Sequence, residues 1–447
     1  MNKRILTLLL ALALILSLVP STALAAGDGL RYEYASEADG QLYVVVTGYT
    51  GTAPELTIPA TFNGYPVRAI ADEAFKGNKT LTRVTISEGI TGIGELAFQS
   101  CTALTEVTLP STLSDMGWLI FFNCTNLKTV TIPEGISVIG YGMFDDCDNL
   151  TEATIPSSVT VIDSYAFSRC KKLTGVVLPE GLTAIGHQAF WECAALTEIT
   201  IPETVTVIGR QAFYKCKNLE RIIFRGDAPS LGDLAFHGTT ADVYYPADNP
   251  TWTDEVMADQ YSKLTWIPYA PLPFADVSPV DFYYAPVSWA VENEITNGTS
   301  DVAFAPNDNC TRAQVVTFLW RAAGKPEPTS TSHPFTDINE KAYYYKAMLW
   351  AVENGITAGM TATTFEPDRV CTRGQVVTFL HRAMGKPAPS SSSHPFTDAN
   401  ENTFYYNAML WAVEDGITAG MTPTTFEPER TCTRGQVVTF LYRTYVN

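Results

Sequence analysis

The sequence predicts a multidomain protein: an N-terminal solenoid of short β-strands and turns, about eight 23-residue units long, followed by an all-α region of three helix–loop–helix units. Three observations predict it. Apolar residues recur every 23 positions through the middle of the chain, a different wording recurs every 61 positions near its end, and an apolar segment with a basic head opens it. A unit that cannot bury its own apolar side must stack on a copy of itself, and the two periods fix what kind of unit each is.

The opening segment, "MNKRILTLLLALALILSLVPSTALAA", has Lys3 and Arg4, an apolar run from Ile5 to Val19, and small residues before a cut after Ala25 or Ala26. It reads as a secretory signal peptide over residues 1–25. An uncleaved anchor would need a longer span, and no later segment is apolar enough to cross a bilayer. The expectation is therefore an exported chain with no membrane span once the signal is cleaved. The formal charge of −18 becomes −20 when Lys3 and Arg4 leave with a segment that holds no acid. Such a balance argues against nucleic acid or an anionic lipid face as partner.

Residues 26–56 are expected to cap the solenoid, with "LRYEYASEADGQLYVVVTG" forming a hairpin that turns at Ala38–Gly40. The repeats follow over 57–240. Phe75, Phe98, Phe121, Phe144, Phe167, Phe190, Phe213 and Phe236 keep step, as do Leu81, Leu104, Leu127, Leu150, Leu173, Leu196 and Leu219. One unit reads "LTEITIPETVTVIGRQAFYKCKN". Its alternating stretch is a strand with one buried face, ended by proline, and "IGxxAF" is a second short apolar element. The solvent side of the first strand holds one row running from Arg83 to Arg221 and a threonine-rich row from Thr85 to Ile223. A threonine row is foremost a good strand surface and names no ligand. Residues 241–270 depart from the repeat and are expected to close the other end and link onward.

The second period defines copies at 271–331, 332–392 and 393–447. Phe274, Phe335 and Phe396 open them, and Trp289, Trp350 and Trp411 follow in register. Pro/Ser-rich "GKPEPTSTSHP" and "GKPAPSSSSHP" read as linkers. Tyr344, Ala347, Met348 and Ala351 share one helical face, which Gly355 is placed to cap, and Val376, Phe379, Leu380 and Ala383 share another.

Each copy also carries a Cys-Thr-Arg word. Thr311 with Gln314, Thr372 with Gln375 and Thr433 with Gln436 have the spacing of a capping box, leaving Arg312, Arg373 and Arg434 at the first helical position. That end of a helix is already partly positive, so an arginine there needs a reason. Two are open: a bridge to an acid of the neighbouring copy, such as the Asp of "FxD", or a site where helix dipole, free N–H groups and guanidinium together take an anion.

All nine cysteines are repeat positions: Cys101, Cys124, Cys147, Cys170, Cys193 and Cys216 are 23 apart, and Cys310, Cys371 and Cys432 are 61 apart. An odd number leaves at least one unpaired. One equivalent site per unit favours a ladder of small buried groups over neighbour disulfides or a thiol-rich metal site, for which the chain has no Cys/His pairing. Nor is there HExxH, G-x-S-x-G or a phosphate-cradling loop, so no enzyme, cofactor or metal is expected.

The "LPxxLxxIGxxAFxxC" wording resembles the BspA-like leucine-rich repeats of bacterial surface proteins. "FTDxxxxxYYYxAMLWAVENGITAGMxxTTFEPxxxCTRGQVVTFL" resembles the S-layer homology (SLH) domain. The second resemblance implies three units packed as a pseudo-threefold bundle. It further implies attachment to pyruvylated secondary cell-wall polysaccharide, with Arg312, Arg373 and Arg434 facing the grooves between units and the loop glycines Gly298, Gly359 and Gly420 beside them. The chain departs from that family in having Gln where its Thr-Arg-Ala-Glu motif has Glu. Its first copy also has Glu294 where the others have Gly355 and Gly416, which predicts an irregular first groove. Together the resemblances imply a protein secreted to the cell wall or surface of a Gram-positive-type bacterium, its solenoid displayed for an unknown protein or glycan in adhesion. The rival functions are a structural S-layer-type wall protein without a specific ligand and, further off, a wall-associated enzyme.

Overall fold

Each 23-residue period closes one turn of a parallel β-solenoid. In the computed structural model, which describes residues 24–25, 29–258 and 263–446, Arg83 pairs with Glu106, Glu106 with Thr129, Thr129 with Glu152 and Glu152 with Gly175. A second line of two-residue strands keeps the same step, from Val138 to Val161, Ala184, Val207 and Ser230. The first line is cut short where Pro110, Pro133, Pro156, Pro179 and Pro202 remove a ladder donor. The second is cut by the glycine of "IG". At Gly186 a Cβ would lie 2.5 Å from the Ser164 backbone nitrogen, so that corner has room only for a bare backbone.

Inside, Phe75 through Phe236 form one stack, with neighbouring centroids 4.8–5.6 Å apart. The six solenoid cysteines line the same core. Each Sγ–H donates to a phenylalanine carbonyl of the preceding turns, from Cys101 to Phe75 at 3.0 Å through Cys216 to Phe190 at 3.1 Å. Thr239 continues the column with a hydroxyl bond to Phe213. All nine thiols are free and buried, and no group of metal-ligating side chains occurs among the described residues.

β1 (Leu30–Ser36) and β2 (Leu42–Tyr49) form the antiparallel hairpin at the start of the stack. Of the expected signal segment, Leu24–Ala25 pairs with Arg31–Tyr32; residues 1–23 lie outside those described. At the other end the strands lengthen to Thr240–Pro246 and Lys263–Tyr269. Trp252 packs there against Phe224 and Trp266, with centroids 4.7 and 5.6 Å away. This end corrects one assignment: Ile223, placed in the solvent-facing row by the pattern, is buried where its strand pairs with Tyr244.

The chain divides after Pro271 into a second unit. A short α1 (Asp254–Met257) belongs to the solenoid side. Beyond the division lie α2 (Tyr284–Glu292), α3 (Arg312–Ala322), α4 (Tyr345–Glu353), α5 (Arg373–Ala383), α6 (Tyr406–Glu414) and α7 (Arg434–Val446). The second helix of each copy packs on the first helix of the next: α3 on α4, α5 on α6, and α7 back on α2. The helices α3, α5 and α7 also meet one another. Closure is visible in the backbone, where the N–H of Cys310 donates to the Cys432 carbonyl, Cys371 to Cys310 and Cys432 to Cys371, at 2.8–2.9 Å. This is the pseudo-threefold arrangement. Among the described residues no helix is long and apolar enough to cross a membrane.

Candidate functional site

The junctions between helical copies are where the sequence-selected residues meet. Each begins at a capping box. Thr311 accepts from the Gln314 N–H while the Gln314 side chain accepts from the Thr311 N–H, and the pairs Thr372/Gln375 and Thr433/Gln436 do the same. Glutamine therefore performs the closing bond that glutamate would.

The next donors are spent across the junction. The Arg312 N–H reaches the Arg369 carbonyl and Ala313 that of Pro367; Arg373 and Gly374 reach Arg430 and Pro428; Arg434 and Gly435 reach Asp308 and Pro306. The expectation of free N–H groups at these helix starts is thus corrected: the neighbouring copy's loop takes them.

The guanidinium groups point into the same junctions. Arg312, Arg373 and Arg434 are only 2–3 % exposed, which for arginine demands partners. Arg312 donates from Nε to the Phe365 carbonyl (2.8 Å) and from NH2 to the Thr357 hydroxyl (3.1 Å). Its charge lies over the rings of Phe365 and Phe379, at 4.9 and 5.3 Å. Arg373 repeats this with Phe426, Thr418 and Phe440. No ion pair joins any of the three to a carboxylate among the described residues. The bridge to the "FxD" aspartate is therefore not formed. Burial pulls each guanidinium pKa down, though arginine remains charged at any ordinary pH.

The aspartate grips the other side of the same amide. Asp337 accepts from the N–H groups of Phe365 and Glu366, Asp398 from Phe426 and Glu427, and Asp276 from Phe304 and Ala305. One phenylalanine peptide is thus held at its carbonyl by the arginine of one copy and at its N–H by the aspartate of its own. Burial works to raise the Asp337 and Asp398 carboxyls, and these backbone donors more than offset it, leaving both below the usual range.

The loop glycines lie close by. Gly359 has φ +87°, and its N–H shares the Thr357 hydroxyl with Arg312. A Cβ on it would come within 2.4 Å of the Phe335 ring. Gly420 sits equally against Phe396, and Gly298 against Phe274. The structure therefore groups Arg312 with Gly359, Arg373 with Gly420, and Arg434 with the loop of Gly298.

The third junction differs. Arg434 keeps its bond to the Phe304 carbonyl, yet its NH2 is buried without a hydrogen-bond partner, and the Thr296 hydroxyl accepts from the Gly298 N–H instead. In the same loop Glu294 takes the left-handed conformation (φ +55°) that Gly355 and Gly416 supply elsewhere, and it pairs with Lys325. The irregular first copy thus keeps its helix end, and the missing interaction falls on the arginine facing it. The backbone acceptors of these arginines could not be found from the sequence: Phe365 is 53 positions from Arg312, and a carbonyl has no residue type.

Residues 55–174 and 139–251 match the BspA type leucine rich repeat region, in 6 copies, and residues 273–316, 334–377 and 395–438 match the S-layer homology domain. The chain is 31 % identical over 169 residues to an endoglucanase of Bacillus sp. (strain KSM-635), covering 37 % of this chain and 18 % of that protein. It is 27 % identical over 115 residues to the surface-layer 125 kDa protein of Lysinibacillus sphaericus, covering 26 % and 10 %. Among solved structures, a leucine-rich repeat protein of T. pallidum matches at 27 % identity and a TM-score of 0.35, over 46 % of this chain and 86 % of that one. The chain thus spans less than a fifth of either curated relative.

Proposed function

Because this chain joins a BspA-type leucine-rich repeat solenoid to three S-layer homology domains, we propose that it is a cell-surface protein held to the wall non-covalently by its helical unit, with the solenoid displayed for binding. The ligand of the helical unit is the pyruvylated secondary cell-wall polysaccharide, taken in the grooves between copies. Arg312, Arg373 and Arg434 form the floors of these grooves, and Gly298, Gly359 and Gly420 shape their loops. The observation that carries this reading is the recurrence of one arginine–phenylalanine–loop clasp at all three junctions. Arg312 spends two of its five donors within the protein and is almost fully buried, so a ligand carboxylate must displace part of its surroundings to meet the rest. The chain itself is read as non-catalytic; the endoglucanase it resembles shares a stretch amounting to 18 % of that protein, and no activity is carried over from it.

The test is cosedimentation of the full chain with wall sacculi before and after hydrofluoric acid extraction of the secondary polysaccharide. Binding is expected to native sacculi and to be lost on stripped ones, with a pyruvylated disaccharide competing. Equal sedimentation with both preparations would sink the proposal. The likeness to a surface-layer protein favours a second reading, a lattice-forming wall protein, which requires ordered sheets of the purified chain in electron micrographs.

A further inference from the structure

The solenoid carries a row of aromatic rings that its core does not need. Trp118, Tyr141, Tyr165 and His187 come from four consecutive turns, each from the segment just after the second short strand. Their neighbouring centroids are 6.5, 5.4 and 5.3 Å apart. The interior of those turns is already filled by the stack of Phe121, Phe144, Phe167 and Phe190. Trp118 is 49 % and Tyr141 40 % exposed, so large apolar faces stay in water where folding gains little from them. Ordered apolar surface of that kind marks an interaction site. The row is bracketed: Glu95 occupies the place of Trp118 one turn earlier, Arg210 that of His187 one turn later, and both are exposed. Between the brackets Trp118, Tyr141, Ser164 and His187 hold the equivalent positions. The His187 Nδ1–H donates to the Arg210 carbonyl at 2.8 Å, which fixes the ring and leaves Nε2 for a partner.

We propose that this row binds a neutral polysaccharide lying along the solenoid axis. A pyranose offers an apolar C–H face and a rim of hydroxyls. The faces suit aromatic rings, and the hydroxyls suit Tyr141, Nε2 of His187, the Glu95 carboxylate and the Arg210 guanidinium. The rings repeat with the rungs, so a ligand that repeats on a similar length can use several at once, whereas a compact ligand would use one. Charge decides the glycan class. Trp118, Tyr141, Tyr165 and His187 carry no carboxylate, lysine or arginine, the flanking Glu95 and Arg210 are of opposite sign, and the row belongs to a chain of net charge −18, which disfavours a polyanion. The inference deepens the reading of the solenoid as the displayed binding surface and is independent of how the helical unit is held.

The experiment uses the full chain and, as probes, cellohexaose, xylohexaose, mannohexaose and chitohexaose, with calorimetry and tryptophan fluorescence as readouts. At least one probe is expected to bind saturably. The double variant Trp118→Ala/Tyr141→Ala is expected to bind it about tenfold or more weakly, and Trp118→Phe to recover most of the loss. Circular dichroism should be unchanged, because both side chains are solvent-facing. Failure of the folded wild type to bind any of the four sugars overturns the assignment, as does undiminished binding by the double variant. A chain that ignores all four sugars but saturably captures a protein overturns the glycan site and leaves the display reading standing. Cosedimentation with sacculi, unaltered by the double variant, reports on attachment separately.

Discussion

Arg312 shows how a side chain at an unfavourable helix position can be worth keeping. Its backbone N–H serves the neighbouring copy's loop, while its guanidinium leaves the helix end and closes on the Phe365 carbonyl and the Thr357 hydroxyl. The sequence marked this arginine as a residue whose placement needs a partner, but an acceptor 53 positions away on the backbone could not be read from side-chain types. A clean prediction lies in the threonines. Thr357→Val and Thr418→Val each remove a charge-assisted bond inside the unit and should cost about 1.5–3 kcal/mol. Thr296→Val should cost less, because the Arg434 NH2 does not bond it. Urea unfolding followed at 222 nm, where the helices dominate, measures the difference. The cysteines give a second test. Burial raises their thiols, to about 12 for Cys101, Cys216, Cys371 and Cys432, and the thiolate is the reactive form. Native protein at pH 8 should thus be silent to a thiol reagent, and nine thiols should appear in denaturant; early reaction of the six solenoid cysteines would mean that their turns open.

At the scale of the turn, the 23-residue period made the columns legible and hid the corners. Phe98, Leu104 and Cys101 announce a buried stack by repetition alone. By contrast, each turn bends through a left-handed residue that the chain fills with Leu96, Leu119, Tyr165 or Gln188 as readily as with Gly142, so no glycine column gives it away. Two substitutions separate conformation from space. Gly77 has φ +72° and nothing within 4 Å of an added Cβ, so Gly77→Ala should cost only the left-handed penalty, about 1–2 kcal/mol. Gly186→Ala puts a methyl 2.5 Å from the Ser164 nitrogen and must push neighbouring rungs apart, at about 3 kcal/mol or more. Thermal unfolding followed at 218 nm should rank them in that order, and equal costs would contradict the close contact at Gly186. The exposed aromatic row was missed for a related reason: Tyr165 stands one residue out of column, and a period-based reading discards what is out of step.

For the chain as a whole, two compact units predict two unfolding transitions, and acid should separate them. Asp337 and Asp398 have folded-state pKa values below the roughly 3.9 of an unfolded aspartate. Their contribution to stability is therefore complete above about pH 4 and fades as pH falls through the folded values. Between pH 6 and pH 3 the 222 nm transition should move to lower temperature. It should move less in Asp337→Asn/Asp398→Asn, whose stability at pH 6 is already reduced.

The backbone ring through Cys310, Cys371 and Cys432 has a consequence for how such a chain can change in length. A stack of rungs is open-ended: excising residues 147–169, one full period, brings equivalent edges together and should leave a shorter solenoid folded. The ring counts its members. Remove one 61-residue copy and two helices lose their partners while every junction must find a new angle, so that deletion should leave no folded helical unit. Duplication and loss can therefore tune one half of this protein in small steps, while the other half is held at three.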